Sequence, residues 1–499
     1  MNGYLRLLTA FALGMATVSG FAPFYFYPVP VVTLAMLCLL WRGSKTPFQA
    51  GLTGFAFGMG LFGAGVTWLY VSLHDFGHMT MPLAVVALVV LCAYLSLFPA
   101  LAGWLGSLRR LSSTWAWPGV VAALWALMEW VRGTLFTGFP WLTVGYSQAP
   151  DSPLAGFAPV IGVYGLSLLL MLSAAWLACW LENRQHRRVW LWLGSIWFTG
   201  LGLQQIHWTQ PEGEPVTVSL LQGNMPQNMK WEPEHLAATM QTYARLVRES
   251  TSRLIVTPEI SFPLFVEQAP QDFLELLAEH ARARQGDVLI GMVERDLAND
   301  SYYNTMFSLG SSPGQSYRKY HLVPFGEYIP LKPVFGWIID VLHIPLSDFS
   351  RGGLDQQPMA LAGQRVAINI CYEDVFGEEI ILQLPQASLL VNVSNDAWFG
   401  RSIGPRQHLQ ISQMRALETG RYMLRATNTG VTAIIDERGR VLQQLEMFTT
   451  AGLHGSVQGF GGATPYVRFG NNLVFALVGV LLLMGGLAAF SGKRKNSVK

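Results

Sequence analysis

Long, mainly apolar runs separated by short polar turns fill the first part of the chain, and one more lies near its end. They occupy residues 7–22, 27–41, 51–73, 81–106, 117–131, 159–181, 189–203 and 473–490. About 20 apolar residues span the hydrocarbon core of a bilayer, so these eight runs predict about eight membrane-crossing helices. The runs 27–41, 117–131 and 189–203 are short for the task. The run 7–22 also resembles an export signal, but a single early Arg6 and the sequence Phe24-Tyr25-Phe26-Tyr27 beyond it favour an uncleaved span. Between 210 and 471 the pattern changes. Short β-rich runs at 216–221, 253–257, 288–293, 304–309, 365–370, 389–393 and 431–435 alternate with helical patterns at 233–249, 271–284 and 408–419. The strand runs are almost continuously apolar, as in sheets covered on both faces, and predict a layered α/β domain. The expected organisation is a seven-span bundle over 1–209, a folded aqueous domain over 210–471, and a last span with a basic tail over 472–499.

Composition sharpens this division. The chain is 51% hydrophobic and only 13% charged, against about 25% charged in a soluble protein. Residues 1–209 hold 13 charged side chains, whereas 210–471 hold 20 basic and 27 acidic ones. A net negative domain is a poor partner for phosphate backbones, so no nucleic acid is expected. Cations also set the orientation. Arg42, Lys45, Arg109, Arg110, Arg184, Arg187, Arg188 and the tail cations Lys493, Arg494, Lys495 and Lys499 fall on one side of an eight-span topology. The loops 74–80 and 133–158 hold no Lys or Arg. The positive-inside rule then puts both termini in the cytoplasm and 210–471 outside, in the periplasm of a bacterium. Glu129 and Arg132, three residues apart at the end of the fifth run, are expected to pair. The Gly-, Pro- and aromatic-rich loop 133–158, with Trp141, reads as an interfacial belt or as a floor for the outer domain.

Cysteine usage points to one candidate nucleophile. Cys38, Cys92 and Cys179 lie within apolar runs, where a thiol is a small apolar side chain. Cys371 is alone in the outer domain, has no partner there for a disulfide, and follows the strand run 365–370, a position suited either to packing or to chemistry. A carboxylate, Glu259, ends the β-rich run 253–257 plus Pro258, and Lys319 sits in Tyr317-Arg318-Lys319-Tyr320-His321 before the turn-forming Pro324-Phe325-Gly326-Glu327. No HExxH or CxxC spacing occurs, and neither a metal nor a cofactor is expected.

Glu, Lys and Cys in that chain order, each after a β-rich run, resemble the nitrilase superfamily. Asn392-Val393-Ser394-Asn395-Asp396-Ala397-Trp398-Phe399-Gly400 and Arg415-Ala416-Leu417-Glu418 add to the likeness. With eight spans, Gly138-Phe139-Pro140-Trp141, Gln222-Gly223-Asn224, His321-Leu322-Val323-Pro324-Phe325-Gly326-Glu327 and Arg425-Ala426-Thr427-Asn428-Thr429-Gly430, the chain is similar to the membrane-embedded apolipoprotein N-acyltransferases. Thr257 departs from the pattern, where Trp is more usual. The resemblance implies an αββα sandwich carrying Cys371 as nucleophile, Glu259 as general base and Lys319 as stabiliser of thiolate and oxyanion. Glu327, Tyr372 and Glu373 are expected to support them, and Trp231, Trp141 and Trp337 to bind or gate substrate. It further implies a phospholipid acyl donor, a diacylglyceryl-apolipoprotein acceptor, the bacterial inner membrane and action as a monomer. A membrane-tethered amidase would use the same triad. The apolar segment 329–346, with Val334, Phe335, Trp337 and Ile338, reads as a mobile, membrane-dipping lid beside Lys319 or, alternatively, as an ordinary core helix.

Overall fold

The computed structural model describes residues 2–108, 111, 115–185, 187–227, 232–330 and 348–496. Trp231, Trp337 and nearly all of the apolar segment 329–346 lie outside them. The chain forms two compact units, one of Met1–Leu69, Pro82–His207 and Arg468–Lys499, the other of Tyr70–Met81 and Trp208–Val467. Residues 70–81, which the apolar pattern divides between a span and an outer loop, thus group with the second unit.

The first unit is helical. Its helices are α1 (Gly3–Thr17), α2 (Pro28–Arg42), α3 (Pro47–Gly65), α4 (Met81–Gly106), α5 (Trp117–Thr134), α6 (Ala158–Glu182), α7 (Val189–Leu203) and a final helix, Asn472–Asn496. A helix lies under each of the eight apolar runs, but the count of spans is corrected. Among the described residues, four helices are long and apolar enough to cross a membrane, or five if Pro47–Gly65 and Trp68–Phe76, bent by 56°, form one span. The reason is length. Helices α1, α2 and α7 have 15 residues each, or about 22 Å at 1.5 Å per residue, against about 30 Å of hydrocarbon. The third run breaks at Val66, which leaves helical geometry with ψ 25° after Gly63-Ala64-Gly65.

Packing inside this unit relies on small residues. A side chain at Gly60 would meet the Phe11 carbonyl oxygen at 2.0 Å, and one at Gly14 would meet that of Phe57 at 2.0 Å, so α1 and α3 touch backbone to backbone. Gly60→Ala is expected to destabilise the helical unit by about 1–3 kcal/mol, the usual result of overpacking. A lower thermal midpoint in detergent checks this; an unchanged midpoint would mean the helices separate freely. The outward faces carry Leu8, Phe11 and Met15 on α1, Val86 and Val90 on α4, and Leu483 and Leu487 on the final helix. Exposed apolar belts of this extent suit lipid rather than water.

Buried Arg132 and Glu129 grip the loop that follows α5. Arg132 donates to the carbonyls of Phe139 (2.5 Å) and Trp141 (2.7 Å) and to Thr143 Oγ1 (3.1 Å), and Glu129 Oε1 accepts from Val144 N at 2.9 Å. Two charges within an apolar unit are thereby spent on backbone groups that a loop cannot satisfy itself. Trp141 is buried here, its ring beside those of Trp68 and Phe139.

The second unit contains two six-stranded sheets. The first is built from β1 (Val216–Gln222), β2 (Leu254–Val256), β3 (Asp287–Asp296), β4 (Ser301–Gly310) and β5 (Ser316–Arg318). The second is built from β6 (Met359–Leu361), β7 (Gln364–Ile370), β8 (Leu389–Ser394), β9 (Met423–Thr427), β10 (Ala433–Ile435) and β11 (Val441–Gln444), and β12 (Ala451–Val457) returns to the first. The orders are β12-β1-β2-β3-β4-β5 and β11-β10-β9-β8-β7-β6. In each, three central strands run parallel and the outer ones antiparallel.

Strand alternation separates the layers. Val218, Leu220 and Val256 of the first sheet pack against Ile368, Val391 and Val393 of the second in one core. Their neighbours face the other way: Leu221 and Ile255 meet Tyr243, Val247 and Leu277 of α8 (Pro233–Glu249) and α9 (Gln271–Arg282). Ala367 and Leu390 meet Leu409 and Ala416 of α10 (Gly404–Thr419). The result is an αββα sandwich, with both faces of both sheets covered, which explains the near-continuous apolar strands.

Candidate active site

Three chain ends beyond the strands bring the predicted triad together. Glu259 lies just past β2 and is buried. Its Oε1 accepts from Asn304 Nδ2 at 2.8 Å and from Lys319 Nζ at 3.2 Å, and its Oε2 accepts from Asn395 N at 2.9 Å. Lys319 directly follows β5 and is 1% exposed. Its backbone is tied on both sides, N donating to Asn304 O (2.8 Å) and O accepting from Gly352 N (2.8 Å). The ammonium also donates to Glu327 Oε1 at 2.9 Å. Glu327 is itself fixed, its Oε2 accepting from Val323 N at 2.9 Å. One cation is thus held between two carboxylates, and Asn304 Nδ2 bonds both carboxylates, with Glu327 at 3.2 Å.

The electrostatics follow from this burial. Loss of solvent pushes the Lys319 ammonium down, but Glu259, Glu327 and Cys371 overcome it and its pKa lies above the usual lysine range. Cys371 directly follows β7 and opens the turn Cys371–Val375 with φ 54°, a left-handed conformation that costs a side chain about 1–3 kcal/mol. Burial, then the Glu259 charge, push its thiol above the ordinary value, with Lys319 pulling the other way. At rest Cys371 is therefore a thiol rather than a thiolate.

Glu373 staples the nucleophile turn to the lysine segment. Its Oε2 accepts from Ile370 N (2.6 Å) and Tyr317 Oη (3.1 Å), and its Oε1 accepts from Tyr320 N (2.7 Å) and His321 N (3.1 Å). Burial raises its carboxyl to about 7, against the pull of the Ile370 backbone amide and the Lys319 charge. Tyr372 packs edge-on against Phe376 and His321.

A buried carboxylate and ammonium past β2 and β5 of one sheet, and a partly buried thiol past β7 of the other, make up the candidate site, and sequence comparison shows what the chain is similar to. The model of the apolipoprotein N-acyltransferase N-terminal domain matches residues 13–176, and that of carbon-nitrogen hydrolase matches 217–458. A protein of Nitrosomonas europaea described as apolipoprotein N-acyltransferase is 84% identical over 496 residues, covering 99% of this chain and 100% of its own. One of the same description from Methylococcus capsulatus is 43% identical, covering 98% and 97%. The chain belongs to the apolipoprotein N-acyltransferase family. Among solved structures, Saccharomyces cerevisiae Nit3, a member of branch 10 of the nitrilase superfamily, aligns with TM-score 0.38 and 17% identity over 49% of this chain and 91% of that one.

Within this member of the N-acyltransferases, Glu259 and Lys319 pair and the Cys371 thiol feels both charges, with Glu327 against Lys319 and Glu373 against the nucleophile turn. Trp141 belongs to the helical unit. Thr257, in place of the more usual Trp, is fully buried; its Oγ1 lies 2.7 Å from Ser261 Oγ and accepts from Gly291 N at 3.3 Å. The motif reading quotes Asn392 and Arg425 without giving them a role, and it passes over Asn304; what it missed is their part as polar support. Asn304 on β4, Asn392 on β8 and Arg425 on β9 are buried. The available signal was a polar residue inside an apolar strand, as in Val391-Asn392-Val393 and Leu424-Arg425-Ala426.

Proposed function

We propose that this protein transfers an acyl chain from a membrane phospholipid, through a thioester on Cys371, to the α-amine of the N-terminal diacylglyceryl-cysteine of an apolipoprotein. The observation that carries the reading is the buried Glu259–Lys319–Glu327 array set against a thiol held in a left-handed turn. Because the thiol is protonated at rest, its proton passes to Glu259 as Sγ bonds to the ester carbonyl carbon. Lys319 faces the negative charge that develops on the carbonyl oxygen. Collapse of that adduct breaks the ester C–O bond, and the departing glyceryl oxygen takes the proton from Glu259, giving a lysophospholipid. In the second half the acceptor amine attacks the thioester, Glu259 takes a proton from nitrogen, and the thiolate leaves and recovers it. An amide is formed and the thiol is restored, so the two substrates use one site in turn.

Both substrates carry acyl chains, which leave a bilayer only at about 0.8 kcal/mol per CH₂. Fusion of the site to apolar helices answers that demand. The cation asymmetry supports a place in the bacterial inner membrane for the long apolar helices, with both termini cytoplasmic and the αββα unit periplasmic.

The test is mass analysis of the purified protein after incubation with phospholipid. A hydroxylamine-labile acyl mass on the peptide containing Cys371, discharged when a diacylglyceryl-cysteine peptide is added, is expected. A protein that never holds acyl groups but frees ammonia from small amides would instead be an amidase.

A further inference from the structure

Behind the nucleophile lies a buried polar cluster that the acyl-transfer steps do not use. Cys371 sits at φ 54°, and its carbonyl oxygen accepts two side-chain hydrogen bonds, from Asn392 Nδ2 at 3.2 Å and from His408 Nε2 at 3.2 Å. The other ring nitrogen, Nδ1, lies 3.1 Å from Asp396 Oδ1. A backbone carbonyl only accepts, so Nε2 is the donor in the contact with Cys371. Asp396 is anchored in turn: Oδ1 accepts from Ser394 Oγ (2.7 Å) and Oδ2 from Arg425 Nη2 (2.9 Å). Its carboxyl is held well below the usual range, with Arg425 first and His408 second overcoming burial. Arg425 Nη1 donates to Asn392 Oδ1 (2.6 Å) and Ser412 Oγ (3.0 Å), and Ser412 Oγ also bonds Asp374. The charged and titratable members of this cluster are Asp374, Asp396, His408 and Arg425, all fully buried.

One short segment joins this cluster to the base. Asn395 N binds the Glu259 carboxylate, and the next residue, Asp396, orients His408. The same turn therefore fixes the carboxylate from one side and, through the imidazole, the cysteine backbone from the other. A left-handed cysteine with no glycine to relieve it relaxes unless its carbonyl is held, and a shift of about 1 Å at a reacting atom costs on the order of 100-fold in rate.

We infer that His408 is a positioning residue for the nucleophile, locking the Cys371 backbone so that its sulfur meets the carbonyl carbon of an acyl donor. The inference rests on the acyl-transfer reading above. Two variants separate the contacts. In His408→Gln the amide reaches the place of Nε2 and keeps a donor for the Cys371 carbonyl; in His408→Asn it reaches only the place of Nδ1 and keeps the Asp396 contact alone.

The full-length protein in detergent is mixed with a phosphatidylethanolamine bearing a labelled acyl chain, and label on Cys371 is followed in a single turnover. In parallel, Cys371 is alkylated with iodoacetamide, a small reagent that approaches from any direction and reads only thiol ionisation and access. His408→Asn is expected to acylate about 100-fold more slowly with alkylation unchanged, and His408→Gln to acylate near the wild-type rate. Equal acylation of the Asn and Gln variants would overturn the inference, and so would alkylation that falls in step with acylation, since that marks general loss of structure. A wild-type protein that never takes up label fails differently, by removing the acyl-transfer reading itself.

Discussion

Lys319→Met is expected to lose both stability and catalysis. The ammonium, 1% exposed, is hydrogen-bonded to Glu259 at 3.2 Å and to Glu327 at 2.9 Å. Met fills a similar volume but leaves the buried Glu259 carboxylate and the partly buried Glu327 carboxylate facing each other across Asn304. Removing one partner of a buried ion pair costs about 3–5 kcal/mol, much of it from the charge left behind. Chemical denaturation of the purified variant checks this. The pair's contribution has a defined pH window. Because the folded pKa of Lys319 is raised above its ordinary 10.5, the stabilisation is fully present below that value and is lost only as pH climbs through the higher folded one. Stability that separates wild type from Lys319→Met should therefore persist from neutrality past pH 10. Acylation should fall about 10²–10³-fold besides, as when an oxyanion donor is removed. A variant as stable as the wild type would show that the two carboxylates shed their charge without difficulty, and the array would then be no electrostatic unit.

Glu259→Gln should move two rates in opposite directions. Loss of a general base lowers acylation by about 10²–10⁴-fold. The fold should survive, because Lys319 keeps Glu327 and the amide oxygen can still accept from Asn304 or Asn395. The thiol, however, is relieved of an upward push. Burial is the largest cause of its raised pKa and the Glu259 charge the second, so without that charge more thiolate forms at a given pH. Iodoacetamide should therefore alkylate Cys371 faster in the variant at pH 8, while in the wild type alkylation continues to accelerate above pH 9. If both rates fall together, Glu259 serves to hold the site open rather than to carry the proton.

Apolar patterning foretold this architecture where structure is local. Helices α4 and α7 begin and end where their runs do, and so does α8. Strands β1, β7 and β8 fall within a residue or so of their apolar runs. The strands without an apolar run were not legible. Arg425 interrupts β9, glycines and His454 interrupt β12, and β5 and β6 have three residues each. The triad was visible because each member follows a strand end within a recognisable motif. The cluster behind it was not, because its geometry depends on contacts between residues far apart in sequence, such as His408 with Cys371 and Asn395 with Glu259. A polar side chain in a strand looks solvent-facing until the opposite sheet is known to cover it. Nor does an apolar run reveal where a helix bends, as the 56° break after Gly65 illustrates.

That break has a bearing on how the enzyme unit can be handled as a gene. The residues just beyond it, Tyr70–Met81, fold with the sandwich: Ser72 Oγ donates to the Trp398 carbonyl at 2.8 Å, and Phe76 lies edge-on to the Trp398 ring. Trp398 belongs to the turn that also carries Asn395 and Asp396. The sandwich is thus discontinuous in the reading frame. A fragment expressed from Trp208 to Val467 would omit a strip of its own surface beside the turn that positions base and nucleophile. Recombination between relatives that swaps this stretch as a single cassette would pair the turn with a foreign strip, so position 398 and residues 70–81 should be inherited together.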